Sequence, residues 1–93
     1  MNLTASSVAL ITGAGGGIGS AIARALLARG AKLALADIDP VRAEATRAAL
    51  GGPPDRVRTV VLDVADFESW RLAMAAATEA FGPVSILVNN AGI

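Results

Sequence analysis

Residues Val8–Gly19 read VALITGAGGGIG, an apolar run that gives way after Thr12 to five glycines within seven positions. Glycine loses more backbone freedom on folding than any other residue, so such a cluster is costly unless something must approach the chain closely. A strand that ends in a glycine-rich turn and runs on into a helix is one solution. The N–H groups of the helix's first turn lack intrahelical partners and carry about half a positive charge, and a phosphate docks on them when no side chain stands in the way.

The rest of the chain repeats this alternation. Short apolar runs at Val8–Thr12, Lys32–Asp37, Val57–Asp63 and Val84–Asn89 read as strands covered on both faces. Gly17–Arg29 repeats apolar residues at Ile18, Ile22 and Leu26, one face of a helix, with Gly30 as its stop. Pro40–Leu50 has Asp39 as N-cap and Pro40 at the first helical position, and Gly51-Gly52-Pro53-Pro54 ends it. Phe67–Phe81 follows Asp66, carries the stripe Phe67, Trp70, Met74, Ala77 and Phe81, and closes at Gly82-Pro83. That stripe reads as core packing rather than as a ligand pocket. The order β-α-β-α-β-α-β predicts an α/β fold: the first part of a doubly wound parallel sheet, in strand order 3-2-1-4 with right-handed crossovers. Ligands of such sheets bind at the carboxyl ends of the strands, beside the switch point, and the glycines lie there.

Composition narrows the class. The 93 residues make at most one domain; 54% are hydrophobic and 17% charged, with eight basic against eight acidic groups. A zero net charge argues against nucleic acid as a partner. No cysteine or histidine is present, which excludes disulfides and an ordinary zinc site. No run approaches the ~20 apolar residues of a membrane span, and Met1–Ser7 lacks the features of a signal peptide, so the expected setting is soluble and cytoplasmic.

Two common phosphate motifs fail. The P-loop needs a lysine after its glycines, and none follows. In G-x-G-x-x-G spacing Gly13-Ala14-Gly15 would require glycine or alanine where Ile18 stands. The pattern that fits is T-G-x-x-x-G-x-G, from Thr12 to Gly19. On this reading Gly13, Gly17 and Gly19 serve the turn, the close approach of a ligand and helix packing. Gly15 and Gly16 keep the loop open, and the N–H groups around Gly17 and Ile18 meet a pyrophosphate. Asp37 ends the second strand, where an acid accepts hydrogen bonds from the adenosine ribose. Asp63-Val64 and Asn89-Asn90-Ala91-Gly92 are expected at the ends of strands three and four, on the same rim.

Taken together, Thr12–Gly19, Asp37, Asp63-Val64 and Asn89–Gly92 resemble the N-terminal half of a short-chain dehydrogenase/reductase, over essentially the whole chain. The resemblance implies a Rossmann-like domain, here its cofactor-binding part, residues 1–93. It also implies hydride transfer between a nicotinamide cofactor and an alcohol or carbonyl substrate. Asp63 and Val64 would contact the adenine, while Asn89, Asn90, Ala91 and Gly92 would shape the fourth strand's end and touch the cofactor ribose. Such proteins are commonly dimers or tetramers. The family's catalytic serine, tyrosine and lysine would lie beyond Ile93; this chain has no tyrosine, and Lys32 is its only lysine. The 93 residues alone are therefore expected to bind cofactor without catalysing hydride transfer, with no catalytic residue among them.

Charge selects the cofactor. A 2′-phosphate about 4 Å from the Asp37 carboxylate would cost ~4 kcal/mol at an effective dielectric of ~20, and a quarter of that is already about fivefold in affinity. Gly15, Gly16 and Ile38, at the positions expected to carry a basic residue in NADP binders of the family, are not basic. The expectation is NAD, with Ile38 counted among the cofactor-binding residues and Arg42 a solvated charge on the following helix. Two other classes fit less well: a non-catalytic nucleotide-binding module, and a methyltransferase, whose loop would follow an acid rather than Thr12.

Overall fold

In the computed structural model, which describes residues 6–91, four parallel strands and three helices alternate along the chain: β1 (Val8–Thr12), α1 (Gly17–Ala28), β2 (Lys32–Asp37), α2 (Pro40–Leu50), β3 (Val57–Val61), α3 (Phe67–Phe81) and β4 (Ile86–Val88). Gly92, expected in the site, lies outside the described residues. The sheet order is β3-β2-β1-β4, as the alternation predicts. Its register sets Val8 beside Lys32, Leu33 beside Val57 and Ala9 beside Ile86. All pairings are parallel, so the four carboxyl ends share one rim.

The helix boundaries follow local chemistry. Glycine, not a side chain, caps α1: Gly16 is the N-cap, and it makes no side-chain capping bond to the first-turn N–H groups. At its other end the Ala31 N–H donates to Leu26 O and the Gly30 N–H to Leu27 O, with Gly30 at φ 99°. That pattern is the Schellman arrangement, in which a left-handed glycine turns the chain back onto the helix's last carbonyls. Asp39 caps α2 by accepting from the Val41 N–H, and Asp66 caps α3 by accepting from the Glu68 N–H. The exposed pairs Glu44–Arg47 and Glu68–Arg71 join successive turns, and the arginine beside each glutamate holds its carboxyl below the usual range.

Alternate residues of β1 and β2 face two separate cores. Ala9, Ile11, Leu33 and Leu35 point to the side covered by α1 and α2, where Ile22, Leu26 and Leu50 close over them. Leu10, Ala34 and Ala36 point to the side of α3 and meet Trp70, Met74, Ala73 and Ala77. The continuous apolar reading holds for these two central strands, whose β1 residues are all buried. It fails for the edges: β3 buries only Val57 fully, and β4 buries none of its three residues, with Leu87 54% exposed. An edge strand has a neighbour on one side only, and a single helix on the α3 face does not reach across to β4. Two elements are also shorter than their apolar runs: β3 stops at Val61 rather than Asp63, and β4 spans Ile86–Val88 rather than residues 84–89. Phe67 departs from the expected core stripe and is 82% exposed, because the first residue of α3 lies past the end of β3.

Leu10 is fully buried at the centre of the sheet, whereas Leu72 on α3 is 55% exposed. Leu10→Ala is expected to lower unfolding free energy by ~2–5 kcal/mol and Leu72→Ala by no more than ~0.5 kcal/mol. Urea titrations followed by circular dichroism compare the two.

Candidate functional site

The strand ends meet around a cavity of about 390 Å³ lined by Gly13, Asp37, Ile38, Arg42, Leu62, Asp63, Val64, Asn90 and Ala91. Seven of those nine positions are ones that the sequence singles out. The floor is the end of β1. Thr12 is fully buried, and its Oγ1 accepts from the Asn90 N–H at 2.8 Å and the Ala91 N–H at 2.9 Å. Its own proton faces Asn89 Oδ1 at 3.2 Å and Val88 O at 3.4 Å. Thr12 is thus the joint between the glycine loop and the Asn-Asn-Ala segment, and Asn90 Nδ2 completes it by donating to Gly13 O at 3.3 Å.

Gly13 starts the loop at φ 63°, a left-handed turn that favours glycine. The other glycines answer to different pressures. A Cβ on Gly19 would stand 2.3 Å from Gly13 O, so α1 packs against the turn only without a side chain there. A Cβ on Gly15 would stand 2.5 Å from Arg42 Cβ and 2.8 Å from Asp37 Oδ2. Gly15 is therefore demanded by its packing against β2 and α2, rather than by an open loop. Gly17 has nothing within 4 Å of a Cβ position; open space, not the protein, surrounds it. Gly16 and the exposed Ile18 complete the first turn of α1, whose N–H groups no side chain caps.

Asp37 is 5% exposed, yet its carboxylate faces the cavity. Oδ2 accepts from the Gly15 N–H at 2.9 Å and Oδ1 from the Asp39 N–H at 3.0 Å. Beside it, Ile38 is 64% exposed and Val64 39% exposed, two apolar walls at the mouth of the cavity. Asp63 sits past the end of β3 in a turn, its N–H donating to Ser69 Oγ and its Oδ1 accepting from the Ala65 N–H. The Trp70 Nε1–H donates to Val64 O and fixes that turn against α3. Asn89 is exposed and lies outside the cavity lining. Sequence reasoning missed Leu62, whose burial is plain only once β3 ends early. It also set Arg42 aside as a solvated charge. Arg42 is exposed, but it lines this cavity and a second one of about 260 Å³ between α1 and α2, with its Nη2 3.6 Å from a Cβ position on Gly16. The signal for it was its place in the first turn of α2, directly after the strand that carries Asp37.

Chemically, the rim offers unpaired helix N–H groups for an anion, a buried carboxylate for hydroxyl donors, and two apolar walls for a flat ring. No cluster of metal-ligating side chains occurs among the described residues, and no helix among them is long and apolar enough to cross a membrane.

Known proteins resemble this chain in sequence and fold. The family model for short chain dehydrogenase matches residues 7–93. D-threitol dehydrogenase of Mycolicibacterium smegmatis is 46% identical over 86 residues, 92% of this chain and 33% of its own length. Galactitol 2-dehydrogenase of Agrobacterium fabrum is 47% identical over 88 residues, 95% of this chain and 33% of the relative. Among solved structures, a glucose/ribitol dehydrogenase from Brucella melitensis superposes with a TM-score of 0.82 at 38% identity, over 88% of this chain and 34% of that one. The N-domain of a bacterial malonyl-CoA reductase, solved with NADP, gives 0.86 at 41% identity, over 94% of this chain and 17% of that one. The chain belongs to the short-chain dehydrogenase family of oxidoreductases, which bind a nicotinamide cofactor. It spans about a third of the length of the curated relatives it matches.

Thr12→Val keeps the shape but leaves the Ala91 N–H without its acceptor and the Asn90 N–H with Val88 O alone. It is expected to lower stability by ~1–3 kcal/mol, while Thr12→Ser stays within ~1 kcal/mol of the parent. Equilibrium unfolding of the two variants measures the difference.

Proposed function

We propose that these 93 residues are the cofactor-binding part of an NAD-dependent oxidoreductase acting on an alcohol or carbonyl. The diphosphate lies at the start of α1 over Gly16, Gly17 and Ile18, and the adenosine ribose is held by Asp37. The adenine sits between Ile38 and Val64 beside Asp63, while Asn90 and Ala91 border the ribose nearer the reacting end. Glycines whose side chains the protein would not tolerate, at 15 and 19, set the loop's path. Gly17, with free space around it, leaves room for the ligand itself.

The observation that carries NAD rather than NADP is the buried Asp37 carboxylate in the cavity wall. Ribose hydroxyls donate to a carboxylate in charge-assisted bonds worth ~1.5–3 kcal/mol, whereas a 2′-phosphate would be repelled by it. The relatives named as threitol and galactitol dehydrogenases act, by those names, on polyhydroxylated alcohols, which supports an alcohol substrate class. The cofactor, when bound, supplies the hydride acceptor or donor. Taking up the hydroxyl proton needs an acid/base group, and the tyrosine that the family resemblance implies for it is absent from these 93 residues. We assign that step to groups outside these 93 residues.

Isothermal titration of the chain with each cofactor tests the assignment: NAD is expected to bind at least about fivefold more tightly than NADP, and tighter NADP would reject it. A second variant isolates the diphosphate. Gly17→Ala meets no protein atom and favours the helix, so it should keep or slightly raise thermal stability while weakening NAD at least about tenfold.

A further inference from the structure

We infer that Asp37 is a positioning residue: its carboxylate clamps the glycine loop in place before any ligand arrives. A carboxylate this deeply buried needs hydrogen-bond donors. Here the donors are backbone groups of this chain: the Gly15 N–H on Oδ2 and the Asp39 N–H on Oδ1. One oxygen therefore fixes the middle of the loop, and the other fixes the turn that leads from β2 to α2. The loop's own sequence fits that job. Gly15 approaches Asp37 Oδ2 and Arg42 so closely that a Cβ would collide with both, whereas Gly17, at the open end, is under no such pressure.

The clamp has two supports on the preceding residue. The Ala14 N–H donates to Ala36 O at 3.0 Å, and the buried Thr46 Oγ1–H donates to Ala14 O at 3.0 Å. Asp37 adds the one contact to this part of the loop made by a formal charge. An ionised carboxyl group offers about four acceptor directions. Two are taken by the backbone, which leaves the others for donors from the cavity. Asp37 thus both builds the loop and meets the ligand.

This dual load has a consequence for cofactor choice, and that consequence rests on the function proposed above. If Asp37 only repelled a 2′-phosphate, removing its charge would improve NADP. As a clamp, its removal also releases Gly15 and the loop leading to the diphosphate site, so NAD and NADP both weaken.

Amide hydrogen exchange on the ligand-free 93-residue chain tests the clamp without any cofactor. In Asp37→Ala and Asp37→Asn the Gly15 amide is expected to exchange at least about tenfold faster than in the parent, while the amides of β1 stay protected. Asn keeps the volume and one acceptor oxygen, so it decides the matter if the alanine variant does not fold. Unchanged exchange at Gly15 in a folded variant would overturn the proposal. Titration of the same variants gives a second reading: losses of at least about tenfold for both cofactors support the clamp, and a gain in NADP affinity counts against it. Should the parent chain bind neither cofactor, the proposed function fails, while the exchange result still stands or falls alone.

Discussion

The hydroxyl of Thr12 is the contact on which the rim depends. It lies fully buried where β1 ends, between the first turn of the glycine loop and the segment that follows β4. Two backbone N–H groups of that segment converge on one oxygen. Without an acceptor there, Ala91 would bring an unpaired donor to a partly buried position and Asn90 would keep only Val88 O, and an unmet donor away from water is costly. A valine has the right shape and a serine the right oxygen; threonine supplies both. By drawing the two strand ends together, it places Gly13 and Asn90 side by side and gives the cavity its floor.

From that joint the loop is held along its length by groups from three different parts of the chain. Asn90 takes Gly13 O, Thr46 of α2 takes Ala14 O, and Asp37 of β2 takes the Gly15 N–H. Beyond Gly15 the backbone enters α1 and its first-turn N–H groups meet no cap. The anchored half and the open half of the loop thus divide the glycines into two kinds. Gly15 and Gly19 are small because the protein is close; Gly17 is small although the protein is distant.

Much of this was legible in the sequence. The order of elements, the 3-2-1-4 sheet, the aspartate N-caps and the rim residues follow from periodicity, capping chemistry and strand-end position. What the sequence hid depends on contacts between distant segments. Nothing local distinguishes Gly15 from Gly16, because the difference is the close approach of Asp37 Oδ2 and the Arg42 Cβ to one, while the other meets only the Arg42 guanidinium and Gly13 O at ordinary contact distance. Apolar runs overstated β3 and β4, since hydrophobicity marks what could be covered, not where a neighbouring strand stops pairing. Phe67 looked like core by helical spacing, yet helix position alone does not say how far the sheet beneath extends. Arg42 looked like solvent-facing charge, and so it is by exposure, but the βα turn swings it to the mouth of two cavities.

The anchoring of residues 13–15 also bears on how quickly a ligand is received. Folding has already removed the conformational freedom of that stretch, so an anion binding at the proposed site would not have to order it a second time. The encounter is then governed by collision, orientation and the shedding of water rather than by waiting for a disordered segment to find its shape. Rigidity on this rim is a kinetic asset, and it resides in backbone-directed side chains that a list of ligand contacts alone would leave out.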